Sequence, residues 1–596
     1  MAYTELQKGA DNDANGDVLR NWIRDIGDLK TIKIEDEGAA TLENLSNMFV
    51  DKPNLTDIDI SNMNLAKVNS VENMYSNCNN LVNVPIVNNP NLESLAYYFA
   101  NCSMIQNVEN FNTNNVLNMY SMFYGCKNIV EIPNFNTSNV IDMGSIFSGC
   151  VNLYNYPNFD TSNVKYMYGM FCESSMNVAP NLNTSNVTDM GYMFQACKNL
   201  TNIPNYDTSN VTSMHSMFSY CHNLITIPNF NTSNVTDMCA MFDFCYNLIN
   251  IPQLDTSKLR DRLDYMFRSC RNLVSVPNFN TTQVTSMDSM FSGCNKLTNI
   301  PNYDTSNVTD MDGMFISCAN LINVPNFNTS KVTDMSYMFD GCTNLTSVPN
   351  FNTSNVIGMG RMFLECENLT SVPDFDTSNV ISMGNMFNGC CRLQVVPNFN
   401  TSKVNNMSRM FAFCKNLVNA PNFDTSNVEN MLDWMYRDCY NLEYVPDYNT
   451  SKITNMSSMF EGCNKLQNAP NLITNNVTTT SSMFGGCSNL VNVPKYNLSS
   501  VNWVYGMFSW CYNLVNVPEF NMPNVTSLSC MFSGCNNLSN ASIQNIINMC
   551  LNSNVTNTSY KNLMPNNSYS PFNYTKFDNS YYQNRWAELD AAGWSY

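Results

Sequence analysis

Histidine occurs only twice in the 596 residues, at His215 and His222, and neither stands in the Cys-x-x-Cys or His-rich spacing that a zinc site needs. Charge is scarce too. Asp, Glu, Lys and Arg make up 13% of the chain, with 29 basic residues against 48 acidic ones and a net charge of −19. Without a basic stripe interleaved with aromatics, that balance argues against a nucleic-acid partner. No run of ~18 apolar residues is present, so no membrane insertion is expected. Gly-rich phosphate loops and nucleophile-elbow strings are also missing, so the chain is expected to be no enzyme, with no catalytic residue, metal or cofactor. Its first residues, Met1 to Asp11, show neither an apolar h-region nor a lipoprotein-type cysteine. Export by the Sec route is therefore not expected.

What the chain has instead is a period. Cys78, Cys102, Cys126 and Cys150 keep a spacing of 24 residues, and the run from Cys270 through Cys294, Cys318, Cys342, Cys366 and Cys390 to Cys414 does so again. One unit runs from Met338-Phe339 through Cys342, Leu345, Val348-Pro349, Phe351 and Asn352-Thr-Ser-Asn to Val356 and Met359, and Met362-Phe363 opens the next. Such a unit cannot bury its apolar face alone, so a period of this length implies stacked coils. Counting from Phe49, twenty further starts follow, from Tyr75 to Phe532. Four intervals differ from 24: Phe49 to Tyr75 is 26, Phe171 to Phe194 is 23, and Phe242 to Phe267 and Phe411 to Tyr436 are both 25. A bulge or loop is expected at each.

Within a coil, Leu345-Thr-Ser-Val348 reads as a very short parallel strand closed by Pro349, which has no amide to donate. The Asn/Asp-Thr-Ser-Asn string reads as a turn. The spacing of Val356, Met359, Met362 and Phe363 suits one or two turns of helix, with a short second strand as the alternative. The fold class expected is a repeat solenoid of leucine-rich-repeat-like coils of about 24 residues, with short parallel strands and helical or irregular returns, capped at both ends. The expected divisions are an N-terminal cap or attachment segment over 1–45, a solenoid of about 21 repeats over 46–539, and a C-terminal helical cap over 540–596. Asp17 to Ile26 looks helical, Thr31 to Glu35 looks like a strand able to pair with the first coil, and Ser542 to Cys550 and Gln583 to Trp594 are helix candidates.

Nineteen of the 24 cysteines fall at one repeat position, three after the Phe or Tyr. Stacked coils would bring them within roughly 4.8 Å of one another. Parallel side chains at that spacing fit the disulfide torsion poorly, so a reduced, buried thiol column is the reading, with a bridged column as the alternative. Cys172, Cys239, Cys391, Cys530 and Cys550 lie outside the column and are expected to be more exposed.

The string Met-Phe-x-x-Cys-x-Asn-Leu-x-x-Val-Pro-x-Phe-Asn-Thr-Ser-Asn-Val-Thr-x-Met resembles the BspA-like leucine-rich repeats of bacterial surface proteins, especially the Mycoplasma-type subgroup, over residues 46 to 540 or so. It departs from them at the strand, where a Leu-Asp-Leu-Ser segment is cut to Val-Pro, and a tighter coil follows. The closing Ser542-Ile-Gln-Asn-Ile-Ile-Asn-Met-Cys550 and Trp586 to Trp594 look like the ends of repeat proteins encoded by bacteriophages of AT-rich gut bacteria. These resemblances imply a non-enzymatic surface protein.

Three kinds of residue stand out as candidate contacts. Lys258, Arg260, Arg262, Arg268 and Arg271 gather five of the 29 basic residues at the end of a unit stretched to 25 residues and the start of the next. Tyr220, Phe244, Phe413 and Trp510 stand two after the repeat Phe, where other coils are mostly small or polar, and aromatics of this kind anchor partners or stack on sugars. Asp160, Asp207, Asp255, Asp304, Asp376 and Asp424 exchange with Asn183, Asn231, Asn280 and Asn328 at one turn position. Calcium is conceivable there, but turn capping explains the exchange more simply.

By elimination and by shape, the expected function is that of a non-enzymatic recognition or structural module. The missing export signal, with the resemblance to phage-encoded repeat proteins, implies a virion surface: a tail-fibre, receptor-binding or head-decoration element contacting host-surface glycan or protein and other virion proteins. The alternative is a bacterial cell-surface adhesin of the BspA-like type, and an intracellular repeat scaffold is a third reading. Homo-oligomerisation is left open.

Overall fold

The computed structural model describes residues 4–5, 16–34, 42–556, 561 and 580–594. It contains two compact units, Met1–Thr285 and Ser286–Tyr596. In chain order the regular elements are β1 (Thr4–Glu5), α1 (Asp17–Asp25), β2 (Thr31–Lys33), β3 (Asp57–Asp59), β4 (Asp261–Arg262), β5 (Val284–Ser286), β6 (Asn430–Met431), β7 (Ile453–Asn455), α2 (Asn540–Leu551) and α3 (Ser580–Ala591). Almost everything between them is coil built from turns. Both units are repeat solenoids, as expected, but the coil is assembled differently from the way its sequence reads.

The Asn-Thr-Ser-Asn turn is held by its own side chains. Asn352 Oδ1 accepts the Ser354 amide at 3.1 Å, the buried Thr353 hydroxyl donates to the Asp376 carbonyl of the next coil at 2.8 Å, and Asn355 Nδ2 donates to the Ser330 carbonyl of the previous one at 2.7 Å. The turn therefore closes itself and stitches three coils together, which explains its recurrence.

The expected strand at Leu345-Thr-Ser-Val348 does not form a ladder. Thr346 sends its amide to Ile322 at 3.2 Å, and then Pro349, having no N–H, ends the pairing. The parallel bridges run instead through the residue before the first Met, from Asp334 to Gly358 and from Gly358 to Ser382. Some coils add a second bridge after the Leu, as Asn468 does to Asn492 and Asn492 to Asn516.

The Met359 to Cys366 stretch is not a helix either. Its amides alternate. Met359, Arg361, Phe363 and Glu365 donate to Ser382, Gly384, Met386 and Asn388 of the next coil at 2.7–3.2 Å, while Met362, Leu364 and Cys366 close three-residue turns onto Met359, Arg361 and Phe363. This zigzag requires a left-handed residue every fourth position, and Arg361 and Glu365 lie at φ 58° and 57°. A spacing of three fits a chain of such turns as well as it fits a helix, but here half the amides bond to the neighbouring coil.

The core follows from that geometry. Met359, Met362, Phe363 and Cys366 are all fully buried. Phe363 lies between Phe339 and Phe387 at ring-centroid distances of 5.6 and 5.7 Å with planes 5° apart, and Phe375 packs beside it. In the first unit Phe218 stacks in the same way between Phe194 and Phe242.

All 24 cysteines are free. Those of the column donate S–H to the Phe carbonyl of the preceding coil, as Cys342 does to Phe315 and Cys366 to Phe339, each at 3.1 Å. Ser174 stands at this position in the 23-residue unit, and its hydroxyl takes the same bond to Phe147 at 3.4 Å. A small donor is what the position requires, and burial pushes the Cys150 and Cys318 thiols up to about 12. In the first coil Lys52 stands here, and its Nζ reaches the Arg24 and Ile26 carbonyls at the end of α1, at 2.9 and 2.6 Å.

Three of the four odd intervals hold a short strand, and one of these shows a register shift. β3 lies in the 26-residue interval and pairs in parallel with β2, Ile32 opposite Ile58; β2 also pairs with β1. β4 lies in one 25-residue interval, and β6 in the other, where its pairing with β7 shifts register at Asn430/Met431. α1 buries Leu19 and Ile23. α2 starts at an N-cap, Ser539, whose hydroxyl accepts the Ser542 amide. It takes up the edge of the last coil, with Asn545 Nδ2 on the Val517 carbonyl and Ser542 Oγ on the Val515 carbonyl, both at 2.8 Å. Cys550, expected to be exposed, is buried on the inner face of α2 with Ile543, Ile546 and Ile547. The helix expected over Gln583 to Trp594 corresponds to α3, and the Glu35 end of the expected strand lies outside the described residues.

Candidate recognition face

Each coil carries four residues between its buried apolar anchors, in the pattern Met-a-b-Met-Phe-c-d-Cys, and b and d are the left-handed positions. Bulky side chains disfavour that conformation by about 1 kcal/mol, and Gly, Asn, Asp or Ser adopt it more readily. This accounts for the usual small or polar residue at d. Tyr220, Phe244, Phe413 and Trp510 occupy d at φ 61°, 56°, 62° and 62°. Their backbone is held there by bonds such as Tyr220 N–H to Asp243 O at 2.6 Å. Tyr220 and Trp510 are exposed at this position, and Phe244 and Phe413 are half-buried.

In the first unit the aromatics form a stair. Tyr220 stacks on Phe244 at 4.6 Å, His222 stacks on Tyr246 at 4.6 Å, and Phe244 meets Tyr246 edge-on. Arg268 continues it, its guanidinium 4.9 Å from the Phe244 ring centre and 4.4 Å from that of Tyr265, and Arg271 lies 4.4 Å over Tyr246. Arg268 is fixed by two bonds to the buried Asp243, Nε to Oδ1 at 2.8 Å and Nη2 to Oδ2 at 2.7 Å. Burial raises the Asp243 carboxyl, against the pull of Arg268. Burial, with Lys198 and Arg271 nearby, pushes His222 below its ordinary value, so it is neutral at pH 7.

Four of the nine sequence-predicted contacts thus come together: Tyr220, Phe244, Arg268 and Arg271. Lys258 sits on the Thr-Ser-Asn turn, donating to Asn234 at 2.5 Å. Arg260 donates its amide to Thr236 at 3.2 Å, at the Thr position of the Val-Thr string, and Arg262 pairs with Asp264 at 2.8 Å. Phe413 and Trp510 belong to the second unit. Sequence reasoning missed Tyr246, Tyr265 and Asp243, because only the coil stacking aligns the residue after Cys with positions b, c and d.

In the second unit, Trp510 and Tyr505 flank a groove of about 390 Å³ whose other end is lined by Asp438 and Glu461. Arg437 lies between the two acids, 3.4 Å from Asp438 and 3.5 Å from Glu461, with its guanidinium 4.0 Å over Trp434.

An acidic row lies elsewhere on this unit. Burial and the neighbouring Asp334, Asp288 and Asp310 push Asp312 from 3.8 up to about 6. Burial likewise raises Asp340 to about 6, although Arg361 opposes it. A carboxyl whose folded value lies above its unfolded one contributes stability below about pH 4, and that contribution is lost as pH rises through 6. Asp312→Asn is therefore expected to stabilise the protein by about 1 kcal/mol at pH 7.5, after allowance for solvent screening, and to change little at pH 4. Urea denaturation of both proteins at the two pH values checks this.

The turn-position acids hold no such strain. Asp160, Asp207 and Asp376 each accept the amide of the residue two later at 3.0 Å, and the bonds to Ser162, Ser209 and Ser378 hold these exposed carboxyls below their usual range. Capping accounts for them. Among the described residues no group of three His, Cys, Asp or Glu side chains is arranged to hold a metal ion. No helix there is long and apolar enough to cross a membrane.

The family model described as "Mycoplasma protein of unknown function, DUF285" matches residues 31–93, 93–199, 175–273, 261–372, 346–442, 367–471 and 432–546. The chain belongs to this family. Its Mycoplasma-type repeats are those read from the Met-Phe-x-x-Cys string. No curated protein matches the chain. Among solved structures, it is similar to a leucine-rich repeat protein of Bacteroides ovatus at 19% identity, over 69% of this chain and 88% of that one, with a TM-score of 0.31. It is also similar to a leucine-rich cell surface protein of Faecalibacterium prausnitzii at 17% identity, over 56% and 81% of the two chains, with a TM-score of 0.32.

Proposed function

We propose that this protein is a non-enzymatic recognition element of a bacteriophage virion surface, a tail-fibre, receptor-binding or head-decoration component that contacts host-surface glycan or protein. The single observation behind this is the division of labour in each coil. Positions a to d vary from Gly to Trp and Arg, while the Met, Phe, Cys and Asn-Thr-Ser-Asn residues that build the coil stay nearly constant. A coil scaffold whose exposed side chains are interchangeable suits contact with a large target through many separate sites. The unbridged thiols agree with folding in a reducing compartment before release. In this reading 46–539 is the recognition solenoid, 1–45 and 540–596 are its caps, and Tyr220, Phe244, Arg268, Arg271, Phe413 and Trp510 contact the target, with Lys258, Arg260 and Arg262 in contact with a partner or subunit.

The second reading, a bacterial cell-surface adhesin, is favoured by the bacterial family to which the chain belongs. Antibody labelling in electron microscopy separates the two. Label on phage particles supports the first and distinguishes head from tail; label on bacterial envelopes with none on particles supports the second. Within either, Arg260→Glu with Arg262→Glu should weaken target binding or assembly, and unchanged binding would remove these two residues from the contact.

A further inference from the structure

We infer that the groove between Trp510 and Tyr505 is a binding site for a neutral pyranose chain, which rests on the recognition reading above and names the ligand class of one site on that face. Its floor is kept empty without structural need. Position c carries Arg268, Leu364, Arg437 and Glu461 in other coils, yet here it is Gly485, whose φ lies outside the left-handed region and whose added Cβ would meet nothing closer than 3.4 Å. Gly506 beside it would also accept a Cβ at 3.5 Å, although its φ is positive. The missing side chains leave a trough between the two rings.

The walls fit a sugar. Trp510 is 39% exposed and Tyr505 55% exposed, so each offers a face to the C–H side of a pyranose. Asp438 and Glu461 offer carboxylate oxygens to hydroxyls, and Arg437 between them offsets part of their charge, which favours a polyhydroxyl ligand over a cation. An independent observation also points to a ligand. Ser533 is among the residues that line the groove, it is only 1% exposed, and its buried Oγ has no hydrogen-bond partner among the described residues. A buried hydroxyl left unpaired is costly, and a ligand hydroxyl would satisfy it.

The test uses the full chain and defined oligosaccharides: hexamers of α- and β-linked glucose, β-linked N-acetylglucosamine and β-linked galactose, followed by tryptophan fluorescence and calorimetry. At least one is expected to bind saturably. Trp510→Ala and Gly485→Leu should each weaken it at least ~10-fold, the second by filling the trough with the side chain that Leu364 already places at position c; Trp503→Ala, an exposed tryptophan outside the groove lining, should leave it unchanged. No saturable binding, or binding indifferent to both groove variants, overturns the assignment. So does binding of a lysine-rich peptide with none of any sugar. Adsorption of the full chain to its target cells distinguishes the two levels: adsorption unaffected by Gly485→Leu overturns the groove and leaves the recognition reading standing, whereas a wild-type chain that adsorbs to no cell overturns the recognition reading itself.

Discussion

Phe363→Ala is expected to destabilise the second unit by about 3–5 kcal/mol. Phe363 is fully buried and stacked on both sides, at 5.6 Å from Phe339 and 5.7 Å from Phe387, so truncation opens a cavity in the interface with each neighbour. In a stacked array stability is approximately a sum of coil terms and nearest-neighbour terms, and this substitution weakens two of the latter at once. Urea unfolding should therefore shift to lower denaturant and broaden as the coils on either side begin to melt apart. Phe375→Tyr is the control. The same position is Tyr206 and Tyr496 in other coils, where the hydroxyl donates to Pro180 at 2.7 Å and Pro470 at 2.8 Å, and in this coil the matching acceptor is the Pro349 carbonyl. Its stability should stay within about 0.5 kcal/mol of the parent, since a buried hydroxyl with a partner costs little. Equal losses in the two variants would show that the aromatic column does not carry the coil interfaces.

How much of this was legible depended on whether a feature is local or made by stacking. The 24-residue period, the buried Phe and Cys columns and the self-capped turn are written in each unit, because they follow from which residues must be inside and which side chains reach a nearby amide. The helices α1 and α2 carry their own amphipathic pattern, and the odd intervals announced the register shift at Asn430/Met431. The zigzag from Met359 to Cys366 was not legible as such. Its apolar spacing is shared with a helix, and the only local clue was the small or polar residue at d, which reflects positive φ and not a lack of contacts. The strand was misplaced because Pro349 was read as ending a ladder that, in this coil, forms around the residue before Met359. The site divides in the same way. Tyr220, Phe244 and Trp510 could be found as anomalies at one position, whereas their partners Tyr246 and Tyr265 come from other positions that only the stacked coils align. The groove is harder still, since its signature at Gly485 is a side chain that is not there.

Arg268→Ala tests whether the aromatic stair is built around its buried charge. Asp243 is 4% exposed and receives two hydrogen bonds from Arg268, and the same guanidinium lies over Phe244 and Tyr265. Removing it leaves a carboxylate in a site that already raises its proton affinity. Breaking a buried pair from one side costs about 3–5 kcal/mol, and because Arg268 keeps a third of its side chain in solvent, about 2–3 kcal/mol is expected here. The loss should be greatest above neutral pH and shrink on acidification, because protonating Asp243 removes the stranded charge. Asp243→Asn with Arg268→Ala should recover most of the stability lost by the single variant at pH 7.5, since no ion is then left buried. It should not recover the stair, whose rings no longer have the guanidinium between them. Stability restored with target adsorption still impaired would place Arg268 in the recognition surface; stability and adsorption restored together would reduce it to the partner of Asp243.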